Sequence, residues 1–213
     1  MMPKPSLTLL PPLGWIVVTV LWLAAIVAGM GVMLNYSQTP GGSAGRAPEH
    51  WPATSSIPRG GDCPTLVMFA HPKCPCTRAS ISELNVLLSR CPQKVAVRVV
   101  FFEPEMAGDQ WVRTDLWDAA AAIPGVSVEV DEGGKNAENF RATTSGHVVL
   151  YDAGGQLLFS GGITEARGHS GDNAGRSTVL EILRGGSVSS SETPTFGCSL
   201  QDQPAGPIAR QDS

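Results

Sequence analysis

From Leu13 to Leu34 the chain reads LGWIVVTVLWLAAIVAGMGVML, 22 residues without a charged side chain. Rising about 1.5 Å per residue, a helix of that length covers roughly 30 Å, the hydrocarbon thickness of a bilayer. In lipid no other local structure satisfies its own backbone. Pro11 and Pro12 close the run on one side, Asn35 and Tyr36 on the other. Trp15 and Tyr36 suit the two interfaces. A cleaved signal peptide is the alternative, with Val27 and Gly29 as a weak small-residue cleavage site, but the run exceeds a usual signal core. An uncleaved anchor is therefore expected. Lys4 and the terminal amine precede the run closely, whereas Arg46 follows at a distance. The positive-inside rule then places residues 1–12 in the cytoplasm and the remainder in the periplasm or another extracytoplasmic space, where disulfides persist.

The expected organisation is a cytoplasmic N-terminus over 1–12, a transmembrane helix over 13–34, a flexible linker over 35–62, a folded domain over 63–186 and an irregular tail over 187–213 that contains Cys198. Residues 35–62 are rich in Gly, Pro and Ser and show no apolar period. The chain's net charge is −4, and because Lys4 is the one charged side chain before Arg46, residues 46–213 hold 14 basic and 19 acidic groups, or −5. That balance argues against a nucleic-acid partner and gives the domain no attraction to anionic lipid.

Within the domain, TLVMFA (65–70) is a short apolar run ending in turn chemistry, the pattern of a buried strand. Ile81, Leu84, Leu87 and Leu88 mark the apolar face of a helix over 77–90, with Thr77 as N-cap or Ser80 and Glu83 as a capping box. VAVRVVFF (95–102) is a second strand, 111–123 an Ala-rich helix with Trp111 and Trp117 in the core, and VSVEV (126–130) a third strand. A helical turn over 136–142, a hairpin of 147–151 with 156–160, and a helix over 175–184 complete the order. An α/β fold follows, a mixed central sheet with helices on both faces.

Five cysteines occur, Cys63, Cys74, Cys76, Cys91 and Cys198. Cys74-Pro75-Cys76 falls where the first strand gives way to the first helix, so both sulfurs are expected to be accessible at a helix start. The unpaired N–H groups and positive dipole end there favour thiolate over thiol, and Lys73 and Arg78 add positive charge. One intervening residue closes a tighter disulfide ring than two would, and strain makes a disulfide easier to reduce.

The segment FAHPKCPCTRASISEL (69–84) resembles the active-site region of thioredoxin-like redoxins. TTSGHVVLYDAGGQLLFSGGIT (143–164) resembles their hairpin, and TPTFGCSL (193–200) a Gly-Cys segment that trails some membrane-anchored members. With the anchor, the chain is most similar to RedB-type thioredoxin-like proteins over Cys63 to Leu200. The resemblance implies a thioredoxin-like fold and thiol–disulfide oxidoreductase activity on protein thiols, with Cys74 attacking, Cys76 resolving and no organic cofactor. It departs from the family in two ways. The motif is one residue short, and Ser145-Gly146 stands where a cis-proline usually faces the thiols. That proline holds extended substrates and keeps metals away, so its loss makes copper binding credible.

Strand 65–70 and helix 77–90 run antiparallel, which brings Cys63 and Cys91 to one end, as a structural disulfide or as two inert thiols. Cys198 is either a third thiol folded back to Cys74 or a packed tail residue. His71 is a proton shuttle, a metal ligand or a turn residue. Glu103, at the end of the second strand, is a base for Cys76 or a solvated carboxylate. The loop 166–176, with Arg167, His169, Asp172 and Asn173, either receives an anion at the last helix or supplies only its cap. No Walker loop, GxGxxG, HExxH, GxSxG or peroxidatic Thr-x-x-Cys is present. Three readings remain: a membrane-anchored oxidoreductase with a protein substrate and a redox partner; a soft-metal chaperone holding copper through Cys74, Cys76, His71 and Cys198; and a tethered interaction domain with structural cysteines.

Overall fold

The computed structural model describes residues 12–91 and 93–201. The expected cytoplasmic segment thus lies, but for Pro12, outside the described residues, as does the tail beyond Gln201. The chain divides into two compact units, one ending at Ser37 and the other beginning at Gln38.

The first unit holds helix α1, Pro12–Gln38, which runs four residues beyond the expected span. It has no amphipathic bias, and its stretch Leu13–Gln38 is long and apolar enough to cross a membrane. A signal sequence would share these features.

The second unit is built on five strands: β1 Thr65–Ala70, β2 Ala96–Glu103, β3 Val126–Glu132, β4 His147–Tyr151 and β5 Leu157–Gly162, in the sheet order β3-β2-β1-β4-β5. β1 pairs parallel with β2, Phe69 opposite Val100, and antiparallel with β4, Phe69 opposite His147. A parallel strand cannot follow its neighbour without a crossover, and α2, Pro75–Arg90, supplies the one between β1 and β2. Helices α3 (Asp115–Ala121), α4 (Lys135–Asn139) and α5 (Ala174–Leu183) complete the layers. The Ala-rich helix expected within 111–123 is α3, preceded by a 3-10 turn at Asp109–Trp111. This βαβ unit, a further strand, then a hairpin and a final helix form the thioredoxin-like architecture that the resemblance implied.

Side chains alternate across a strand, so the central strand β1, covered on both sides, reads as an unbroken apolar run. Leu66, Met68 and Ala70 join one core with Leu84 and Leu87 of α2, Leu116 and Trp117 of α3, and Val179 and Leu183 of α5. Val67 and Phe69 face the other core, where the five-residue α4 is too short to cover Val100, Val149 and Tyr151. Residues of the expected flexible linker complete that cover, which corrects the expectation over 39–62. Ala47 and Ile57 are buried, and Trp51 packs edge-on against Phe140 at 5.0 Å and Tyr151 at 5.2 Å. Trp51 N–H donates to Gly155 O at 2.8 Å, and Leu157 N–H to Glu49 O at 2.8 Å. An irregular segment carries no period to reveal such burial. The exposed face simply needs apolar cover.

Candidate thiol site

Helix α2 begins two residues before the expected position. Cys74 is its N-cap, in extended conformation, and Pro75 occupies the first helical turn, where its missing N–H costs nothing. Thr77 and Ser80 are consequently inside the helix, and neither caps it. Thr77 N–H donates to Cys74 O at 3.1 Å, and Cys74 N–H to His71 O at 3.2 Å.

Three sulfurs converge at this helix start. Those of Cys74, Cys76 and Cys198 all lie within 4.8 Å of one another, with Cys74 Sγ and Cys198 Sγ 2.7 Å apart. The tail is thus folded back on the thiol pair. It arrives as an added strand segment. Ser145 N–H donates to Cys198 O at 2.8 Å, Leu200 N–H to Thr143 O at 2.9 Å, and Thr144 pairs antiparallel with Ser199. Gly197 makes this approach possible, because a Cβ there would lie 2.0 Å from Ser145 O. Arg167 holds the segment further, donating from Nη1 to Gly197 O and from Nε to Thr39 O.

The expectation of accessible sulfurs needs correction. Cys74 is 1% exposed and Cys76 8% exposed. Cys198 keeps more contact with solvent and borders a cleft with Thr143, Arg167 and Ser199. The cause is the docked tail, whose sulfur sits directly on Cys74.

Burial opposes charge on Cys74, yet hydrogen bonding from Cys198 and Thr77 outweighs it and brings the thiol below its ordinary value. Burial and the adjacent Cys74 charge push Cys76 up, with Arg167 opposing. Cys198 is pushed up to about 12 by burial, by its hydrogen bond to Cys74 and by the charges of Cys74 and Cys76. The thiolate therefore belongs on Cys74 and the shared proton on Cys198. The expected electrostatic support from Lys73 and Arg78 has gone elsewhere: Lys73 Nζ lies 4.6 Å over the Trp111 ring, and Arg78 pairs with exposed Asp115.

Ser145 and Gly146 stand where the resemblance would put a cis-proline, and no cis peptide occurs among the described residues. Ser145 is buried. Its Oγ lies 2.6 Å from Thr77 Oγ1 and accepts from His71 N–H at 2.8 Å. Gly146, at φ +89°, donates its N–H to Phe69 O at 2.7 Å. These bonds lock the strand-end turn to the start of α2. Ser145, Thr77 and Arg167 had no motif to mark them as supports; only the pairing of distant segments does so.

The remaining candidates fall outside the sulfur cluster. The His71 ring packs beside Phe102 and Trp111, at 6.1 and 5.3 Å between centroids, and Nδ1 accepts from Lys73 N–H at 3.1 Å. It is a turn residue. Glu103 is buried at the end of β2, not solvated, and its Oε1 has no hydrogen-bond partner among the described residues. His169 is exposed on a turn closed by its N–H to Ala166 O. Asn173 caps α5 through Arg176 N–H, as one of the two readings of that loop required. Buried Glu83 takes donors from Gly171 N, Asn173 Nδ2 and Arg176 Nη1, so Arg176 and two of the loop's amides already face an internal carboxylate. Cys63 and Cys91 are free thiols, the second of the two alternatives. Each turns onto a carbonyl of its own loop, Cys63 on Gly60 O at 3.3 Å and Cys91 on Gln93 O at 3.2 Å.

No protein-family profile and no curated protein matches the chain. Two solved structures share its fold. A conserved uncharacterized protein of Geobacillus kaustophilus has a TM-score of 0.55 and 16% identity, covering 79% of this chain and 95% of its own. A hypothetical protein of Sinorhizobium meliloti has a TM-score of 0.56 and 20% identity, with 79% and 96% covered. A secreted disulfide oxidoreductase of Mycobacterium tuberculosis is a more distant likeness, at TM-score 0.41 and 13% identity over 58% of this chain and 82% of that one. These likenesses concern the fold; the chemistry rests on the three sulfurs.

Proposed function

We propose that the chain is a membrane-anchored thiol–disulfide oxidoreductase acting on protein thiols outside the cytoplasm, with Cys74 as its nucleophilic sulfur and Cys76 as the resolving one. The observation that carries this reading is a thiolate-favouring Cys74 at the head of α2 with two more sulfurs within 4.8 Å. A sulfur that ionises readily is both an available nucleophile and a good leaving group, and exchange demands both. No organic cofactor is needed, since the redox-active disulfide carries the electrons. The length and apolar character of helix α1 support its role as an anchor, and the charge placement around it supports a position for Cys74 in a compartment where disulfides persist.

The test is trapping by the full chain in detergent. A chain carrying Cys76→Ser and Cys198→Ser should accumulate mixed disulfides with a disulfide-containing protein, and adding Cys74→Ser should remove them. Mixed disulfides that persist without Cys74 overturn the assignment.

One observation favours a second reading, the binding of Cu(I). Three cysteine sulfurs within 4.8 Å suit a soft monovalent ion, and Cys198 supplies the third ligand. His71 lies outside that cluster. Anaerobic Cu(I) titration against a competing chelator separates the readings: tight one-to-one binding lost on Cys198→Ser, without trapped partners, favours the metal.

A further inference from the structure

We propose that Cys198 is a relay thiol: it closes a disulfide with Cys74 and exchanges that disulfide with the partner protein, a faster route than direct exchange at the buried pair. The proposal rests on the oxidoreductase reading and assigns the step that burial of Cys74 otherwise slows.

Three observations converge. Cys74 is 1% exposed, so the in-line approach that exchange requires is hindered for an external sulfur. Cys198 is the more exposed partner and borders the cleft beside Arg167. The two sulfurs stand 2.7 Å apart, and closing a disulfide requires about 2.05 Å, so little movement is needed. The segment that delivers Cys198 is seated by backbone pairing to Thr143 and Ser145 and by the fit of Gly197 against Ser145 O. It is a built contact.

The exchange balances in three steps, beginning with Cys74–Cys76 oxidised and a protein dithiol as partner. With Cys74 and Cys76 joined, the hydrogen bond and the charges that hold a proton on Cys198 are gone, and its thiolate, formed by proton loss to water, attacks Cys74 Sγ. The Cys74–Cys76 bond breaks, Cys74–Cys198 forms, and Cys76 leaves as thiolate and takes a proton. A partner thiolate then attacks Cys198 Sγ, expelling Cys74 as thiolate and leaving Cys198 joined to the partner. The partner's second thiolate attacks its own joined sulfur, its disulfide closes, and Cys198 is released and protonated. Two electrons pass from the partner dithiol to the Cys74–Cys76 disulfide. The same steps in reverse reduce a partner disulfide.

The experiment uses the full chain in detergent, oxidised with one equivalent of oxidant and digested under acid-quenched conditions. In the Cys76→Ser chain, the tryptic peptide of residues 74–78 should be joined to that of 185–210. With both native sulfurs retained, Cys198→Ser should slow disulfide exchange with a reduced protein by tenfold or more, at unchanged melting temperature. Offered a partner that carries a disulfide, the Cys74→Ser chain, which lacks the resolving sulfur, should instead hold that partner through Cys198. Absence of the joined peptides, or wild-type exchange by Cys198→Ser while Cys74→Ser is inactive, overturns the relay and leaves the oxidoreductase reading standing. Wild-type exchange by Cys74→Ser overturns that underlying reading itself.

Discussion

Strand β1 and helix α2 carry cysteines at both ends, and the two ends behave differently. At one end Cys63 and Cys91 are free thiols, each hydrogen-bonded to a carbonyl of its own loop. At the other, Cys74, Cys76 and Cys198 gather within 4.8 Å, and one of them is held toward thiolate. The difference lies in what surrounds the sulfur. A loop carbonyl accepts a thiol proton and gives a thiolate nothing. The other end has a helix N-terminus, the Thr77 hydroxyl and a donor brought in by the tail. Cysteine chemistry in this chain is made by neighbours, and the reactive end has a third segment that the quiet end lacks.

The largest contrast should be in activity. Cys74→Ser is expected to reduce exchange to background, a loss on the order of 10³-fold or more for removal of a nucleophile, in an assay of protein disulfide reduction by the full chain. Wild-type rates would erase the distinction between the ends.

Next comes the middle of α2, which joins them. Glu83 and Arg176 form an ion pair with side chains 3% and 5% exposed. Glu83→Ala leaves the guanidinium buried with only carbonyl and exposed Asp172 contacts, and should cost about 3–5 kcal/mol in denaturant unfolding. Asp115→Ala, which breaks the exposed pair with Arg78, should leave the unfolding midpoint where it is.

Acid should loosen the tail side of the sheet. His147 reaches Ser160 Oγ at 3.1 Å and the tail's Thr195 Oγ1 at 3.3 Å, and burial lowers it from 6.5 to about 4. Between those values the unfolded chain binds a proton that the folded chain refuses. Stability from this group is therefore complete above pH 6.5 and falls as pH drops toward 4, with a slope of up to about 1.4 kcal/mol per pH unit. Melting curves of wild type and His147→Gln between pH 7 and 4.5 check the slope, which the variant should flatten.

A smaller effect concerns the thiolate. Cys198→Ala removes the sulfur whose interaction lowers Cys74, and the Cys74 titration should move up toward the ordinary thiol value. The pH dependence of alkylation at Cys74 measures it, and an unchanged titration would mean that Thr77 and the helix suffice. The smallest change is expected at the quiet end: Cys63→Ser and Cys91→Ser should alter neither exchange nor gel mobility under non-reducing conditions.

Local pattern revealed some features and missed others for identifiable reasons. β1 was legible to the residue because a central strand buried on both faces is an unbroken apolar run. The start of α2 was placed two residues late, since Cys is a poor cap by propensity and Pro75 reads as a breaker unless it occupies the first turn. The Gly, Pro and Ser of 39–62 suggested a tether, but Ala47, Trp51 and Ile57 found an apolar sheet face left bare by a short helix. Cys63 and Cys91 were correctly placed at one end, and each took a local carbonyl instead of bonding to the other.

Sequence by itself determined the apolar N-terminal helix, the alternation of strands and helices, and the presence of Cys74 and Cys76 at a strand-to-helix turn. Those depend on composition and spacing within a few residues, which the chain carries wherever it goes. Only tertiary structure decided that the tail returns to pair with Thr143 and Ser145, that Cys198 rests on Cys74, and that Arg167 fastens the arrangement. Contacts between residues 30 to 124 positions apart depend on the whole sheet being folded beneath them, and no local spacing encodes that surface.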